Sequence, residues 1–444
     1  MRKAFVVLGK RGKFADKSQT NQMHMKKFFL TMAMTLTATA VMAQENQFAV
    51  DAQLRVRSEY NNGAVTPRNE HELPANFTSS RARLGVDWQR GNLELKASVQ
   101  HNGVWGADNM NKTTEQVTLN EAWGKFTFGK SDDRHFVKVG RQRLAYDDER
   151  ILGASDWHQA GTWHDAILYG WETNYGSMSD KLHIALAYNQ NRANQRGDLY
   201  LPNPMPYKSM VMGWYHIDFD TTPLGASFLV MNVGREAATA GNSDEKRMQL
   251  LGTDISFKPA NLDIHGAFYY EMGKNVADQK VAAWMASGTV GYNITDKWKV
   301  AVGYDYLSGD DGTSDKQKTF DPLFGTHHKF LGTMDYYSAI PTEGISDIQA
   351  SVQTKAVKRL DMKLNYHYLM LNNKRANLDK GLGHELDFQA AMKICQDVTL
   401  SAGYSFMLGT ETMEAVKGTG AHKSWQDWGW VTLNISPRIF STKW

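Results

Sequence analysis

The chain is dominated by alternation of apolar and polar positions with a period of two. From residue 360 to residue 370, one set of alternate positions is apolar or aromatic, and the positions between include Asp361, Lys363 and His367. Such alternation is typical of a β-strand with one apolar face and one polar face. It predicts an all-β chain with eighteen strands, near residues 48–60, 77–90, 92–104, 116–129, 134–143, 164–174, 181–190, 208–218, 225–235, 247–257, 261–272, 280–293, 297–307, 346–356, 359–370, 382–394, 396–406 and 426–436.

The connections between these strands alternate between short and long. Short connections such as 130–133 and 175–180 are followed by long ones such as 144–163 and 191–207. Outer-membrane barrels have an even number of antiparallel strands, short periplasmic turns and longer extracellular loops. We therefore predict a single transmembrane β-barrel. A soluble sandwich or propeller does not explain why short and long connections alternate, and a propeller would show a sequence repeat of about 40 residues.

The prolines agree with this map. Nine of the ten prolines lie in predicted connections, and Pro437 follows the last predicted strand. A strand interior does not tolerate proline because the residue has no backbone N–H to donate. The chain ends in Trp444, and a terminal aromatic residue is common in bacterial outer-membrane barrels. Pro437 is awkward if the last strand runs to that end.

The start of the chain predicts export. Lys26 and Lys27 precede an apolar stretch at 28–42, and Val41 and Ala43 occupy the small-residue positions of a cleavage site. This is the pattern of a secretory signal peptide at 25–43. The apolar stretch is too short for a membrane-spanning helix, which needs about 20 residues. We expect translation to begin at Met25, residues 1–24 to be an upstream extension, and 44–444 to form the barrel.

Composition and charge narrow the function classes once this prefix is removed. The whole chain carries a formal charge of +3, but residues 1–43 hold eight basic residues and one acid, so the remainder sums to −4. A generally basic nucleic-acid binder is thereby disfavoured. Mean hydropathy is −0.50, which disfavours a helical membrane protein. The single cysteine, Cys395, cannot form an internal disulfide.

Charged residues on the polar strand faces are the candidate pore lining. A ring of guanidinium groups at a constriction attracts anions. The alternative is a set of arginine–carboxylate ladders that hold the barrel in shape, and the sequence does not separate the two. The candidates are Arg55, Arg57, Arg81, Arg83, Asp87, Glu121, Arg141, Arg143 and Arg150.

Two long loops carry further polar clusters. Asp147, Asp148 and Glu149 form a weak candidate for Ca²⁺, which takes 6–8 oxygen ligands; the alternative is a solvated loop with a local ion pair. His327 and His328 lack a third ligand at zinc-site spacing. We predict no cofactor. The loop 308–345 is long enough to fold into a pore, so deleting 313–340 is expected to raise conductance.

Segments in these two loops carry a family resemblance. They keep their order along the chain and resemble the alginate-export family of outer-membrane porins. The resemblance implies an eighteen-stranded barrel with an arginine-rich lumen, and the family's namesake passes an anionic polysaccharide outward. The matching segments are 140–144, 148–153, 308–311, 319–324, 328–329 and 332–336.

The leading hypothesis is a passive outer-membrane channel for hydrophilic, anionic solutes such as sugar acids, oligosaccharides or polysaccharides. Its expected partners are outer-membrane lipid and that solute, with no nucleic acid and the oligomeric state left open. A non-conducting structural or adhesion barrel is the alternative. An outer-membrane hydrolase is disfavoured because the chain has no GxSxG motif, and no GxxxxGK[ST] loop for nucleotide is present.

Overall fold

The structure is a computed structural model that describes residues 45–107, 117–190, 206–236 and 244–444. The predicted signal peptide at 25–43 and the extension at 1–24 lie outside these ranges. Within them, no helix is both long enough and apolar enough to cross a membrane.

Nineteen strands account for most of the described chain. They agree with the predicted strands to within a few residues, because period-two alternation marks both faces of each strand. The bounds are β1 Asn46–Asn62, β2 Ala75–Arg90, β3 Leu93–Val104, β4 Val117–Gly129, β5 Asp133–Gln142, β6 His164–Asn174, β7 Met178–Tyr188, β8 Ser209–Phe219, β9 Leu224–Glu236, β10 Glu245–Phe257, β11 Leu262–Lys274, β12 Lys280–Asn293, β13 Trp298–Leu307, β14 Ile345–Val357, β15 Leu360–Leu371, β16 Gly381–Cys395, β17 Val398–Gly409, β18 Gln426–Ile435 and β19 Arg438–Lys443.

The strands close into one barrel. Each strand from β1 to β17 pairs antiparallel with the next. The closing partner of β1 is β18, with Leu54 opposite Ile435, and then β19, with Gln47 opposite Lys443. Since β18 and β19 follow the same edge of β1, the result is a closed antiparallel barrel of eighteen strands, the last of them broken.

Pro437 explains why the last strand is broken. It lies between β18 and β19, where it cannot donate to the ladder. Its carbonyl accepts a hydrogen bond from the Ala52 N–H at 3.0 Å, and the pairing on β1 shifts register between Val50 and Asp51. The sequence prediction ended the last strand at 436 and so missed β19.

One short helix, α1 (Glu411–Lys417), was also missed. Thr410 caps its first turn by accepting from the Met413 N–H at 3.2 Å. Gly418 ends it in the left-handed conformation, with φ of 67°. Two turns are too few for a helical period to emerge from the sequence. A 3₁₀ turn, His327–Lys329, lies in the long connection between β13 and β14.

The outward face of the barrel is apolar and exposed. Val302, Val230 and Phe228 have 60% or more of their surface accessible. Such exposure is unfavourable in water but fits a wall that faces lipid. Aromatic residues such as Trp298 and Tyr188 lie near the two ends of the strands, where interfacial girdles form.

The buried core lies inside the barrel. Two long connections fold inward, and we call residues 143–163 inner loop A and residues 308–344 inner loop B. Their apolar side chains pack on inward-facing residues of β6–β13. The wall contributes Met210, Met212, Met231, Leu250, Ala283 and Met285, and the loops contribute Leu144, Ile151, Leu152, Phe320, Phe324 and Met334. The prediction that the 308–345 connection is long enough to enter the lumen agrees with this packing.

Candidate functional site

Inner loop A crosses to the wall formed by β1–β3, and Arg55 holds it there. The Arg55 guanidinium donates to the backbone carbonyls of Asp156 at 2.6 Å, Trp157 at 3.2 Å and His158 at 3.1 Å. Its Nε donates to Gln159 Oε1 at 3.0 Å. These contacts fix the loop through carbonyl groups, which carry no formal charge, and the Asp156 carboxylate lies 3.6 Å from the same guanidinium group.

Arg57 and Arg81 make further contacts to the same part of the loop. Arg57 donates to the Trp157 carbonyl at 3.1 Å and lies over the Trp157 ring, 4.2 Å from its centroid. It also pairs with Glu59 at 2.8 Å. Arg81 is fully buried and contacts the Asp156 carboxylate at 3.2 Å.

Asp156 is a carboxylate shared by three arginines. Arg55, Arg81 and Arg143 approach its carboxylate at 3.6, 3.2 and 3.5 Å. Burial opposes ionisation of this carboxyl, but the positive charges of Arg81, Arg55 and Arg143 outweigh that effect and lower its pKa. Half of the side chain stays accessible, at 51%. Asp156 is therefore an ionised group that faces the lumen beside a larger number of cations.

Arg83 completes what we call the arginine patch: Arg55, Arg57, Arg81, Arg83 and Arg143. Arg83 donates to Gln100 Oε1 at 2.6 and 3.0 Å and forms no ion pair within the described residues. Gln100 in turn donates to the Ala160 carbonyl of inner loop A at 2.8 Å. Glu59 and Asp156 are the carboxylates paired with the patch, so five guanidinium groups outnumber two acids.

The acidic run before Arg150 is engaged by protein donors. Asp147 accepts from Trp214 Nε1 at 3.1 Å and from Ser227 Oγ at 2.5 Å. Asp148 pairs with Arg150 at 2.7 Å. Burial raises the pKa of Asp147, with the hydrogen bond from Ser227 opposing this. The weak Ca²⁺ candidate from the sequence therefore lies in a network that already satisfies its carboxylates.

A histidine and two acids of this region come together. Asp148, Asp254 and His265 have ligand atoms within 4.8 Å of one another. However, His265 Nε2 pairs with Asp254 at 2.7 Å. The Arg150 cation also occupies Asp148, which disfavours a second positive charge there. The group is therefore a network of hydrogen bonds and ion pairs between inner loop A and the wall.

Glu149 joins the two inner loops. Its carboxylate accepts from Thr326 Oγ1 at 2.5 Å and pairs with Lys329 at 2.7 Å, both from inner loop B. The backbones pair as well: the Phe324 N–H donates to the Ile151 carbonyl and the Gly153 N–H donates to the Phe324 carbonyl, each at 3.0 Å. The two inner loops therefore form one hydrogen-bonded unit inside the lumen.

Arg150 ties this unit to the barrel wall. It pairs with Asp305 of β13 at 3.0 Å and lies over the Phe330 ring at 4.1 Å. Burial disfavours its charge, but Asp305 and Asp148 outweigh burial and raise the pKa of Arg150. Arg150 is consequently a buried structural cation and is not part of the arginine patch.

Inner loop B is anchored on buried acids of β16. Thr333 Oγ1 donates to Asp387 at 2.6 Å, and the Met334 N–H donates to Glu385 at 2.8 Å. Gly332 has φ of +87°, and a Cβ there would lie 2.4 Å from the Glu385 carboxylate. The close approach therefore requires glycine.

The remaining predicted pore residues are separated from the patch. Asp87 pairs with Lys96 at 3.1 Å on the inward face of β2 and β3. Glu121 accepts from Trp123 Nε1 at 3.2 Å. These contacts lie on the β2–β4 wall, nearer the short turns than the arginine patch.

Arg141 lies on the outward face, in contrast to the sequence prediction. It is directly opposite Asp165 on β6, with Nε···Oδ1 at 2.9 Å, and stacks on Trp163 at 3.5 Å. Val137 and Val139 share its face by alternation, whereas Gln142 points inward and is buried. The two valines were the signal that could have placed Arg141 outside.

Several site residues were missed from the sequence. Trp157 stacks on His328 at 4.3 Å and contacts Trp430 edge-on at 4.8 Å. Trp428 and Trp430 therefore face the lumen. Gly403 opposite Trp430 was the available signal, because its missing side chain leaves room for the ring. Loop residues Asp156 and Trp157 carried no such signal.

Comparison with known families gives one match along the chain. The model for the alginate export family matches residues 46–405, which runs from the first strand into β17. No curated protein sequence matches significantly.

Solved structures share the fold. OccK9 (OpdG) from Pseudomonas aeruginosa aligns with a TM-score of 0.58 at 11% identity, over 89% of this chain and 98% of that one. A BenF-like porin from Pseudomonas fluorescens Pf-5 aligns with a TM-score of 0.56 at 12% identity, over 89% and 99%. OccK2 (OpdF) from Pseudomonas aeruginosa, solved in complex with glucuronate, gives 0.55 at 12%, over 89% and 96%. At these identities the likeness concerns the barrel.

Proposed function

The chain belongs to the alginate export family of outer-membrane channels, and we propose that it passes hydrophilic anions, in particular sugar acids and their oligomers or polymers. The observation that carries this proposal is the arginine patch, whose five guanidinium groups are paired, among the residues that the structure describes, with Asp156 and Glu59 alone. A surplus of fixed positive charge in a water-filled constriction favours anions.

The way the arginines are bound supports the same conclusion. Most partners of Arg55 are backbone carbonyls, and the partner of Arg83 is an amide. These partners carry no formal charge, so the charge of the two guanidinium groups is left to be balanced by Asp156, 3.6 Å from Arg55, or by a passing solute. The glucuronate bound by one structural neighbour makes uronates a suitable first substrate class to test.

Liposome swelling tests this proposal. Liposomes containing the protein should admit glucuronate at least as fast as glucose, because size is similar and the patch favours the anion. An Arg83→Gln/Arg143→Gln double variant should slow glucuronate several-fold relative to glucose. Arg90→Gln, near the short turn at the end of the same strand, is the matched control. Faster entry of glucose than glucuronate in the wild type would contradict the proposal.

The joined inner loops support a second candidate, a structural barrel with a closed lumen. Inner loops A and B contact one another through Glu149 and contact β1, β13 and β16. Liposomes that admit neither sugar would support this candidate over a channel.

Export is proposed to remove residues 25–43 as a signal peptide, with residues 1–24 not translated. The first strand begins at Asn46, two residues after the predicted new N-terminus at Gln44. Mass spectrometry of the N-terminal peptide from outer membranes should find Gln44 first. A peptide beginning at Met1 would contradict both parts of this proposal.

A further inference from the structure

A second polar region lies in the lumen, apart from the arginine patch. It is a cavity of about 330 Å³ against the inward faces of β11–β15, bordered on one side by Phe330, Gly332 and Thr333 of inner loop B. We call it the lower cavity, because the strand residues that line it extend toward the short turns. Ligand cavities span about 300–1,000 Å³, so this volume suits a solute the size of one monosaccharide.

Strand register arranges its lining in rows. Lys299 is opposite Gln353, which is opposite Lys363 on the next strand. The row above it holds Ala301, Ser351 and Asn365. Neighbouring strands are about 4.8 Å apart. The backbones of Lys299 and Lys363, on the strands either side of Gln353, are therefore separated by roughly twice that distance.

The chemistry of this lining is unlike that of an apolar ligand pocket. Amide and hydroxyl groups of Gln353, Asn365 and Ser351 face the cavity, and such groups donate to and accept from sugar hydroxyls. Small lining residues such as Gly291 and Ala301 leave space for a solute in the cavity. The walls therefore offer hydrogen bonds to a hydroxylated solute and little apolar contact.

Most cations around the cavity already have carboxylate partners. Lys299 pairs with Asp263, and Lys329 pairs with Glu149. Arg150 pairs with Asp148 and Asp305. His265 and His367 also pair with aspartates. These groups therefore already have partners within the protein.

Lys363 differs from them. Over the described chain, no carboxylate lies within ion-pair distance of its Nζ and no hydrogen bond to its side chain is formed. The residue is exposed on the inward face of β15, beside Gln353 and Asn365. It is therefore a cation that can bind a ligand carboxylate without displacing a protein partner.

We infer that the lower cavity is a subsite for a single sugar-acid residue, with the carboxylate on Lys363 and the hydroxyls on Gln353, Asn365 and Ser351. This deepens the proposed function, on which it rests, by adding a second binding position below the inner loops. A solute that leaves the arginine patch would reach it on the way along the lumen.

Calorimetry on the detergent-solubilised barrel tests the subsite directly. Glucuronate should bind, and glucose should bind much more weakly because it lacks the carboxylate. Lys363→Gln should weaken glucuronate binding about tenfold, the size expected for one charge-assisted hydrogen bond. Lys363→Arg should retain binding. Lys393→Gln is the matched control, because Lys393 is an inward-facing lysine of β16 outside the cavity.

The outcomes separate the subsite from the proposed function. Equal binding by wild type and Lys363→Gln, or equal loss in Lys393→Gln, overturns the subsite even if the barrel conducts anions. Calorimetry needs no conduction, so it decides the subsite even if liposomes exclude both sugars. If glucuronate binds through Lys363 but does not enter liposomes that contain the protein, the subsite is supported and the proposed channel function is contradicted.

Discussion

Single side chains set the charge of the lumen, and the arginine patch is built from two strands and inner loop A, which also supplies Asp156. Arg55, Arg57, Arg81 and Arg83 alternate with apolar residues on two adjacent strands, so their common inward face follows from the period. Asp156 lies in a loop, where the direction of a side chain does not follow the two-residue alternation of a strand. It reaches Arg81 only because apolar residues of inner loop A pack inside the barrel.

Glu149 makes the contact between inner loops A and B sensitive to acidic pH. Burial disfavours its ionised form, but Lys329 and the Thr326 hydroxyl outweigh burial and lower its pKa. A lowered folded-state pKa contributes stability above the unfolded value of about 4.3, and this contribution is lost as pH falls through the folded value. We therefore expect conductance to be steady from about pH 7 to pH 5 and to rise below about pH 4.

A charge-removing variant isolates the contribution of Glu149. Glu149→Gln should raise conductance at neutral pH and make the acid-induced rise smaller, because the Lys329 ion pair is already gone. Glu70→Gln, with an exposed carboxylate in another loop, is the control. Identical pH profiles for wild type and Glu149→Gln in single-channel recordings would contradict the assigned role.

At the scale of elements, strands were predictable and the paths of loops were not. Alternation identifies each strand and proline marks the connections, but Pro437 also concealed β19, which resumes pairing one residue later. The inward course of inner loop B depends on distant contacts such as Thr333 with Asp387, 54 residues apart. No local pattern reports a contact of that kind.

Deleting residues 313–340 should raise single-channel conductance, because the deletion removes the part of inner loop B that joins Glu149 and crosses to β16. It also leaves Glu385 and Asp387 without the Met334 and Thr333 donors. Unsatisfied buried carboxylates are destabilising, so a lower thermal midpoint is expected as well. Unchanged conductance in a deletion variant with native strand content by circular dichroism would contradict the constricting role.

At the scale of the whole molecule, closure and charge arrangement account for the architecture. A closed barrel satisfies every strand edge, which a bilayer requires because it offers no water to hydrogen-bond. The period-two pattern therefore predicts both the apolar outer wall and the polar lumen. Net charge contributes little, since the formal charge of residues 44–444 is small while four of the five arginines of the arginine patch lie on the neighbouring strands β1 and β2.

The arginine patch is expected to make the lumen selective for anions. The most direct measurement is the reversal potential of the wild-type channel in a planar bilayer under a KCl gradient. We predict a potential displaced toward the chloride equilibrium value, and a smaller displacement for Arg83→Gln/Arg143→Gln. A potential displaced toward the potassium equilibrium value, or one that the double variant leaves unchanged, would contradict anion selection by the arginine patch.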